Sequence, residues 1–379
     1  MIEKDNISNY ERVRQKLSLG PLYAPKHKKV YELMRILWND QEINVLSYFE
    51  GADKYNSLSE LEKKSGIVKD ELKAVLDRLY GKGTIAKFET EQGTIYSLLP
   101  LLPGIFEKYF IRSNDTIENL KKVADIYRNF IFKNYLPPLF AESNLKFFRP
   151  RLPVDAKEKL IEVNESLEAE SQILPYELVS QLIDNYDVFT VIPCQCRLIG
   201  EYTGDPCKVA PTEMGCFLAG EGAQSSIQRG APRMNKEEAI EYLRRTEKAG
   251  LIHSCVPDSS IDSTLFICNC CSCHCGALAT KDKKHIATLA SNYKPKINHD
   301  LCTKCETCLK KCPMEAIFHK LPNELDSSDE LIFINEEHCI GCGVCATNCP
   351  SNAIKLIKIK NDISTEKFKI GTKTFLELV

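Results

Sequence analysis

Apolar residues recur at helical spacing through the first hundred positions. Within 69–80, Leu72, Val75, Leu76 and Leu79 fall at i, i+3, i+4 and i+7, which predicts an amphipathic helix stopped by Gly81 and Gly83. Ahead of it, one helical stretch covers 30–38, the apolar segment 42–49 follows, and a second, short helix starts after Ser57 with Leu58, Leu61 and Ile67 as its apolar positions. Behind it, 84–89 and 94–99 are short β runs around Gln92-Gly93, a hairpin signal. Residues 1–26, with Gly20, Pro21 and Pro25, are predicted as a loosely ordered lead-in. From 101 to 186 the pattern is helical and connective: 115–134 is amphipathic, and Leu136-Pro137-Pro138 is expected to end it. Further helices are expected at 154–167 and 175–186. Two apolar runs, 187–192 and 264–267, read as strands; paired with each other, they would bring their CxC motifs out side by side at one edge of a sheet. The helix 235–250 between them is signalled by Asn235 as N-cap, Glu238 three residues on and Gly250 past its end.

The chain has 379 residues, enough for two or three domains. Boundaries are expected near 1–26, 27–100, 101–186, 187–290 and 291–379. A net charge of −2 gives no whole-chain argument for nucleic acid or an anionic membrane. No apolar run reaches the roughly 18 residues that span a bilayer, and Met-Ile-Glu-Lys-Asp-Asn lacks the apolar core of a signal peptide. A cytoplasmic location is expected. Three helices followed by a hairpin resemble the winged-helix domains of transcription regulators and of many adaptors that do not bind DNA. The third helix and its end mix Lys69, Asp70, Glu71, Lys73, Asp77, Arg78 and Lys82 rather than presenting a basic face. Docking or homodimerisation is therefore expected of this domain in preference to DNA binding.

Cysteine usage changes the picture. Eighteen cysteines lie between Cys194 and Cys349, and none precedes them. Clustered at short spacing in a reducing compartment, they read as metal ligands. Two runs share one spacing, Cys302-x2-Cys305-x2-Cys308-x3-Cys312-Pro313 and Cys339-x2-Cys342-x2-Cys345-x3-Cys349-Pro350. This is the bacterial ferredoxin spacing, in which the fourth cysteine of each run serves the other cluster. It predicts one [4Fe–4S] cluster on Cys302, Cys305, Cys308 and Cys349, and another on Cys339, Cys342, Cys345 and Cys312. Gly341 and Gly343 are expected to let backbone amides approach the sulfurs. Zinc ribbons are the alternative, but zinc needs neither four cysteines in each run nor the trailing prolines. The acidic stretch 323–330 between the runs is expected to be a solvated loop, or else a steering patch for a basic partner.

Two further groups fill the middle. One is Ile192-Pro193-Cys194-Gln195-Cys196-Arg197 followed by Cys207 and Cys216; the other is Ile267-Cys268-Asn269-Cys270-Cys271-Ser272-Cys273-His274-Cys275. Cys194, Cys196, Cys207 and Cys216 supply four thiolates for a third centre, with Arg197 donating to it or offsetting its charge. Cys268, Cys270, Cys271, Cys273 and Cys275 supply ligands for a fourth, or are shared. Mixed ligation is equally compatible with the sequence, and structural zinc is the alternative. The neighbours Cys270 and Cys271 diverge and suit two metals or two faces of a cluster. Cys255 and His253 read as buried residues, and His274 as a non-ligand. This arrangement resembles a family of iron–sulfur proteins of anaerobic bacteria and archaea that join an IPCxCR-type and an ICNCC-type motif to a dicluster ferredoxin, often behind a winged-helix-like segment. The resemblance implies redox work without fixing a reaction.

The overall expectation is an α+β multidomain chain: a winged-helix-like domain, a helical connector, a small cysteine-rich α/β domain and a C-terminal bacterial-type dicluster ferredoxin fold. It carries two [4Fe–4S] clusters and one or two further centres. No dinucleotide or phosphate fingerprint is present, and the glycines at 215, 220 and 222 do not match one. The leading function is therefore an electron-transfer protein or subunit acting with a partner oxidoreductase or low-potential donor. A reductase with its substrate site at the middle centre, using Arg197, Glu213, Arg229, Arg233 or His274, and a redox-responsive regulator are the alternatives.

Overall fold

The computed structural model describes residues 2–143, 146, 148–162, 177–255, 264–278, 288–320, 331–361, 369–370 and 373–374. The chain forms two compact units, one from residues 1–139, 198–205 and 368–379, the other from 140–197 and 206–367. Among the described residues no helix is long and apolar enough to cross a membrane.

The first unit begins with a correction. Residues Ile2–Lys16 form a helix where a loose lead-in is expected. Tyr10, Val13 and Leu17 make a buried stripe at i, i+3, i+7, and the Tyr10 hydroxyl donates to the Trp38 carbonyl at 3.2 Å. Gly20 and Pro21 close a tight turn between Leu19 and Leu22, whose backbones exchange hydrogen bonds of 2.7 and 3.0 Å. The helices Lys28–Leu37, Asp40–Leu46, Leu58–Ser65 and Lys69–Gly81 follow, two of them started by capping boxes, Asn39 with Glu42 and Ser57 with Glu60. The hairpin Ile85–Thr90 with Gly93–Leu98 then takes Asn56–Ser57 as a third, antiparallel strand on the Gly93–Leu98 side. The cations on the end of the helix Lys69–Gly81 are already partnered: Lys82 meets Glu42 at 2.7 Å and Arg78 donates to Gln41 at 2.6 Å.

A second correction concerns the prolines. The helix Ile117–Ile126 continues through a π-helical stretch, Tyr127–Tyr135, into Leu136–Ser143, so Pro137 and Pro138 do not end it. Leu136 donates to Ile131, five residues back. The widened turn sits directly ahead of the residues that lack an N–H, and they enter as the first turn of the next α segment.

The second unit holds every cysteine. Its larger sheet has six strands in the order Arg149–Pro150, Ile252–Cys255, Thr264–Cys270, Cys216–Gly220, Phe189–Ile192, Arg233–Met234, antiparallel throughout. Phe189–Ile192, which leads into Cys194, and Thr264–Cys270 therefore do not pair with each other, contrary to the expectation from the sequence. Cys216–Gly220 is an apolar run that lies between them and pairs with both. The helix Lys236–Ala249 forms as expected, with its capping box and Gly250 in the left-handed region at φ 95°. It packs Ala239, Tyr242 and Leu243 against Phe189, Phe217, Leu265 and Ile267.

Residues 140–186 are more than a helical connector. They supply Arg149–Pro150 to the large sheet and Ile161–Glu162 to a second sheet, ordered Tyr293–Ile297, Ile354–Lys358, Ile161–Glu162. A two-stranded ladder, Ile317–Lys320 with Leu331–Ile334, completes the C-terminal part. Leu152, Ala156, Leu160 and Leu178 finish the core around Tyr293, Ile317, Ile354 and Leu356. Helices are expected over 154–167 and 175–186; among the described residues of those ranges the helices are the short Ala156–Lys159 and Val179–Ile183. Residues 163–176 and the acidic stretch 323–330 lie outside the described residues.

A buried polar network and a close backbone approach fasten this unit. Buried Lys358 pairs with Glu177 at 3.0 Å, and Glu177 also accepts from Tyr293 at 2.9 Å and Asn292 at 2.6 Å. Gly215 lets the backbone approach Ile192–Cys194: a Cβ there would stand 1.9 Å from the Ile192 carbonyl oxygen. Removing one partner of a buried ion pair leaves the other charge uncompensated. Glu177→Ala is thus expected to destabilise the unit by about 3–5 kcal/mol in denaturant unfolding, and the paired change Glu177→Met with Lys358→Met by clearly less. Gly215→Ala is expected to lower stability by about 1–3 kcal/mol, the scale of overpacking, and to reduce the metal content of the isolated protein.

Candidate metal centres

Each C-terminal run wraps a cavity. One is lined by Cys302, Cys305, Cys308 and Cys349; the other by Cys312, Cys339, Cys342 and Cys345. The short helices Thr307–Lys311 and Val344–Thr347 carry the third cysteine of each run, and the fourth follows just past the helix. The fourth cysteine of each run therefore lines the other run's cavity.

The loops repeat one another in backbone geometry. Lys304, Glu306 and Glu315 have φ of 55°, 60° and 51°, and Gly341, Gly343 and Asn352, at the same offsets from Cys339, have 66°, 79° and 53°. Turning the chain around a cluster takes these left-handed steps, and a non-glycine residue meets them at some cost. Glycine occupies the two buried versions for a further reason. A Cβ at Gly341 would lie 2.0 Å from the Tyr293 carbonyl oxygen, and one at Gly343 2.8 Å from Pro153. Burial pushes the Cys308 thiol up to about 11 and raises those of Cys342 and Cys345. Without a cation these sulfurs keep their protons, so metal loading must release them.

In the middle region the cysteines regroup. Cys207 does not join Cys194, Cys196 and Cys216. Its sulfur lies 3.4 Å from that of Cys273, and the ligand atoms of Cys207, Cys271, Cys273 and His274 all fall within 4.8 Å of one another. His274, read from the sequence as a non-ligand, sets Nδ1 3.0 Å from the Cys273 sulfur. The other six form a connected row. Cys216 meets Cys268, Cys268 meets Cys270, Cys275 donates to Cys270 at 3.2 Å, and Cys196 bridges Cys275 and Cys194. Adjacent Cys270 and Cys271 thus serve different groups. Hydrogen bonds from Cys268, then Cys275, hold the Cys270 thiol down at about 7, and those from Cys207 and Cys273 lower Cys271 strongly.

Arg197 stands between the groups with its side chain fully buried. It donates to the Asn269 carbonyl at 3.0 Å and to the Met214 carbonyl, while its Nε has no hydrogen-bond partner among the described residues. Burial alone would weaken it as a base, but negative charge on Cys194, then Cys271, Cys216 and Cys207, raises its pKa and keeps it a cation. Glu213, Arg229 and Arg233 are exposed and are not gathered beside these sulfurs.

Asn269 is a positioning residue that sequence reasoning missed. Strand alternation turns it to the face opposite Cys268 and Cys270. There it donates to the Gly215 carbonyl at 2.7 Å and meets His253 Nδ1 at 2.8 Å, while His253 Nε2 meets Glu247 at 3.0 Å. Its place inside a run of cysteines was the available signal. Glu247 belongs to the last turn of the helix Lys236–Ala249, where the C-terminal module attaches. Lys311, beside Cys312, donates to the carbonyls of Lys248 and Ala249 at 3.0 and 3.2 Å, and Asn348, beside Cys349, donates to that of Glu247 at 3.0 Å. Cys255 and His253 are buried, as the sequence suggests.

Comparison with curated proteins and with solved structures finds no match. Residues 301–354, which contain all eight cysteines of the two repeated runs, match the family model of the 4Fe-4S dicluster domain. The C-terminal module is therefore a ferredoxin-type iron–sulfur domain, and the chain has an iron–sulfur electron-transfer role.

Proposed function

We propose that this chain is a relay subunit that passes low-potential electrons between a partner oxidoreductase and its own ferredoxin module, by way of an additional iron–sulfur centre in the middle region. Bound clusters supply one-electron steps; the chain positions, desolvates and connects them. One cluster is held by Cys302, Cys305, Cys308 and Cys349, and the other by Cys339, Cys342, Cys345 and Cys312. The cavities those sulfurs line support this assignment. The row Cys194, Cys196, Cys216, Cys268, Cys270 and Cys275 provides the third centre, with Arg197 offsetting its charge.

The observation that carries the relay is the seam at the end of the helix Lys236–Ala249. Lys311 and Asn348, each next to a ligand that crosses between the two clusters, are bonded to its last turn. From that turn Glu247, His253 and Asn269 lead by hydrogen bonds to the strand bearing Cys268 and Cys270. Contiguous hydrogen-bonded connections of this kind suit a wire rather than a free carrier. Exposed Cys305 and neighbouring Leu301, 53% exposed, mark the outer end where a partner docks. The winged-helix-like N-terminal domain serves protein docking or homodimerisation, because Arg78 and Lys82 are engaged with Gln41 and Glu42 instead of waiting for phosphates. The reductase alternative lacks support of this kind, with Glu213, Arg229 and Arg233 exposed. A reducing, cytoplasmic setting fits so many unpaired thiols.

Anaerobically purified protein is expected to hold about twelve irons with matching sulfide, four for each of three cubanes. About eight would remove the middle region from the electron path, and fewer in reconstituted protein would overturn the dicluster assignment. The full-length chain is expected to show no salt-dependent retardation of duplex DNA in gel-shift assays; such binding would restore the regulator reading.

A further inference from the structure

We infer that Cys207, Cys271, Cys273 and His274 form a separate site for a single tetrahedral divalent ion, zinc or ferrous iron, beside the iron–sulfur row and not part of it. Their spacing decides the point. An ion with sulfur at about 2.3 Å and nitrogen at about 2.0–2.1 Å sets its ligand atoms about 3.5–3.8 Å apart at the tetrahedral angle. Here the Cys207 and Cys273 sulfurs are 3.4 Å apart, and no pair in the group exceeds 4.8 Å. A cubane needs more room, because each thiolate binds a different iron. The molecule provides its own control: among the described residues no other group of three or more His, Cys, Asp or Glu side chains gathers this closely, the ferredoxin quartets included.

The donor set is three thiolates and one imidazole, a combination that suits zinc. Two backbone amides already point at the sulfurs, Val209 donating to Cys207 at 3.4 Å and His274 to Cys271 at 3.3 Å. Such bonds favour the thiolate form that a metal requires. Three thiolates around a dication leave one net negative charge, and buried Arg197 interacts with both Cys207 and Cys271. Cys273 is exposed, which gives the ion a way in, while Cys271 and His274 are buried.

Bound there, the ion joins a loop ending in Cys216 to a segment 66 residues away in sequence, a closure that favours the folded state. Cys271 follows Cys270, and His274 precedes Cys275. The ion therefore fixes the backbone that presents two sulfurs of the neighbouring row. This inference is independent of the relay reading, since a structural ion carries no electrons in the zinc form.

The test uses the full chain, purified without oxygen, with zinc and iron counted in the wild type and in Cys207→Ser. One ion per chain is expected to be lost in the variant while the cluster irons stay. X-ray absorption at the zinc edge, to which cluster iron is silent, is expected to show three sulfur neighbours and one nitrogen. If the ion is iron, Mössbauer spectra are expected to show an isolated high-spin ferrous component in the wild type that is missing from the variant. His274→Cys guards against misfolding: it is expected to keep the ion and convert the shell to four sulfurs. Loss of about four irons from Cys207→Ser would overturn the inference by making Cys207 a cluster ligand, as would unchanged metal content in Cys207→Ser.

Discussion

Sulfurs crowded in a protein interior repel one another as thiolates and, as thiols, leave polar hydrogens in a poorly solvated space. The second unit gathers eighteen cysteines under this constraint. Burial raises the pKa of Cys308, Cys342 and Cys345, and only cations make such positions hospitable to the charged form. The chain supplies one permanent cation itself. Arg197 sits fully buried where it feels Cys194, Cys271, Cys216 and Cys207 together, and its guanidinium remains charged where lysine or histidine would readily lose a proton.

The same constraint explains why the architecture is so closely tied. Ligands must be held in place before and after metal enters, and loops alone do this poorly. The C-terminal module therefore takes a strand, Ile161–Glu162, and core residues such as Leu152 and Leu160 from a segment that precedes it by well over a hundred residues. Glu177 reaches Lys358, Tyr293 and Asn292 from that same side. On the other flank, the end of the helix Lys236–Ala249 receives Lys311 and Asn348. Each crossing ligand, Cys312 and Cys349, is thus one residue from an anchor outside its own module.

The ferredoxin module and the middle cysteines belong to one compact unit. The ferredoxin module provides the one-electron chemistry, and the antiparallel sheet beside it brings a second set of sulfurs within a few bonded contacts. In the first unit, Lys82 and Arg78 at the end of the helix Lys69–Gly81 are engaged locally, with Glu42 and Gln41.

The two repeated cysteine runs were legible because their spacing is local: a dozen residues carry the loop, the short helix and the trailing proline. Capped helices were legible for the same reason, since Asn39, Ser57 and Asn235 each act on backbone three residues away. The helix Ile2–Lys16 was hidden by the turn residues after it, and the continuation through Pro137-Pro138 by a π-helical widening that no proline rule anticipates. In the middle region the sequence alone determined that ten cysteines of the second unit stand outside the ferredoxin runs, and left their sharing open. Tertiary structure decided which sulfurs meet, because Cys216–Gly220 lies between Phe189–Ile192 and Thr264–Cys270 and the loop before it carries Cys207 across to Cys271, Cys273 and His274. Strand order and loop path are set by long-range packing, including the close approach at Gly215 and the buried hydrogen bonds of Asn269, and spacing along the chain does not encode them.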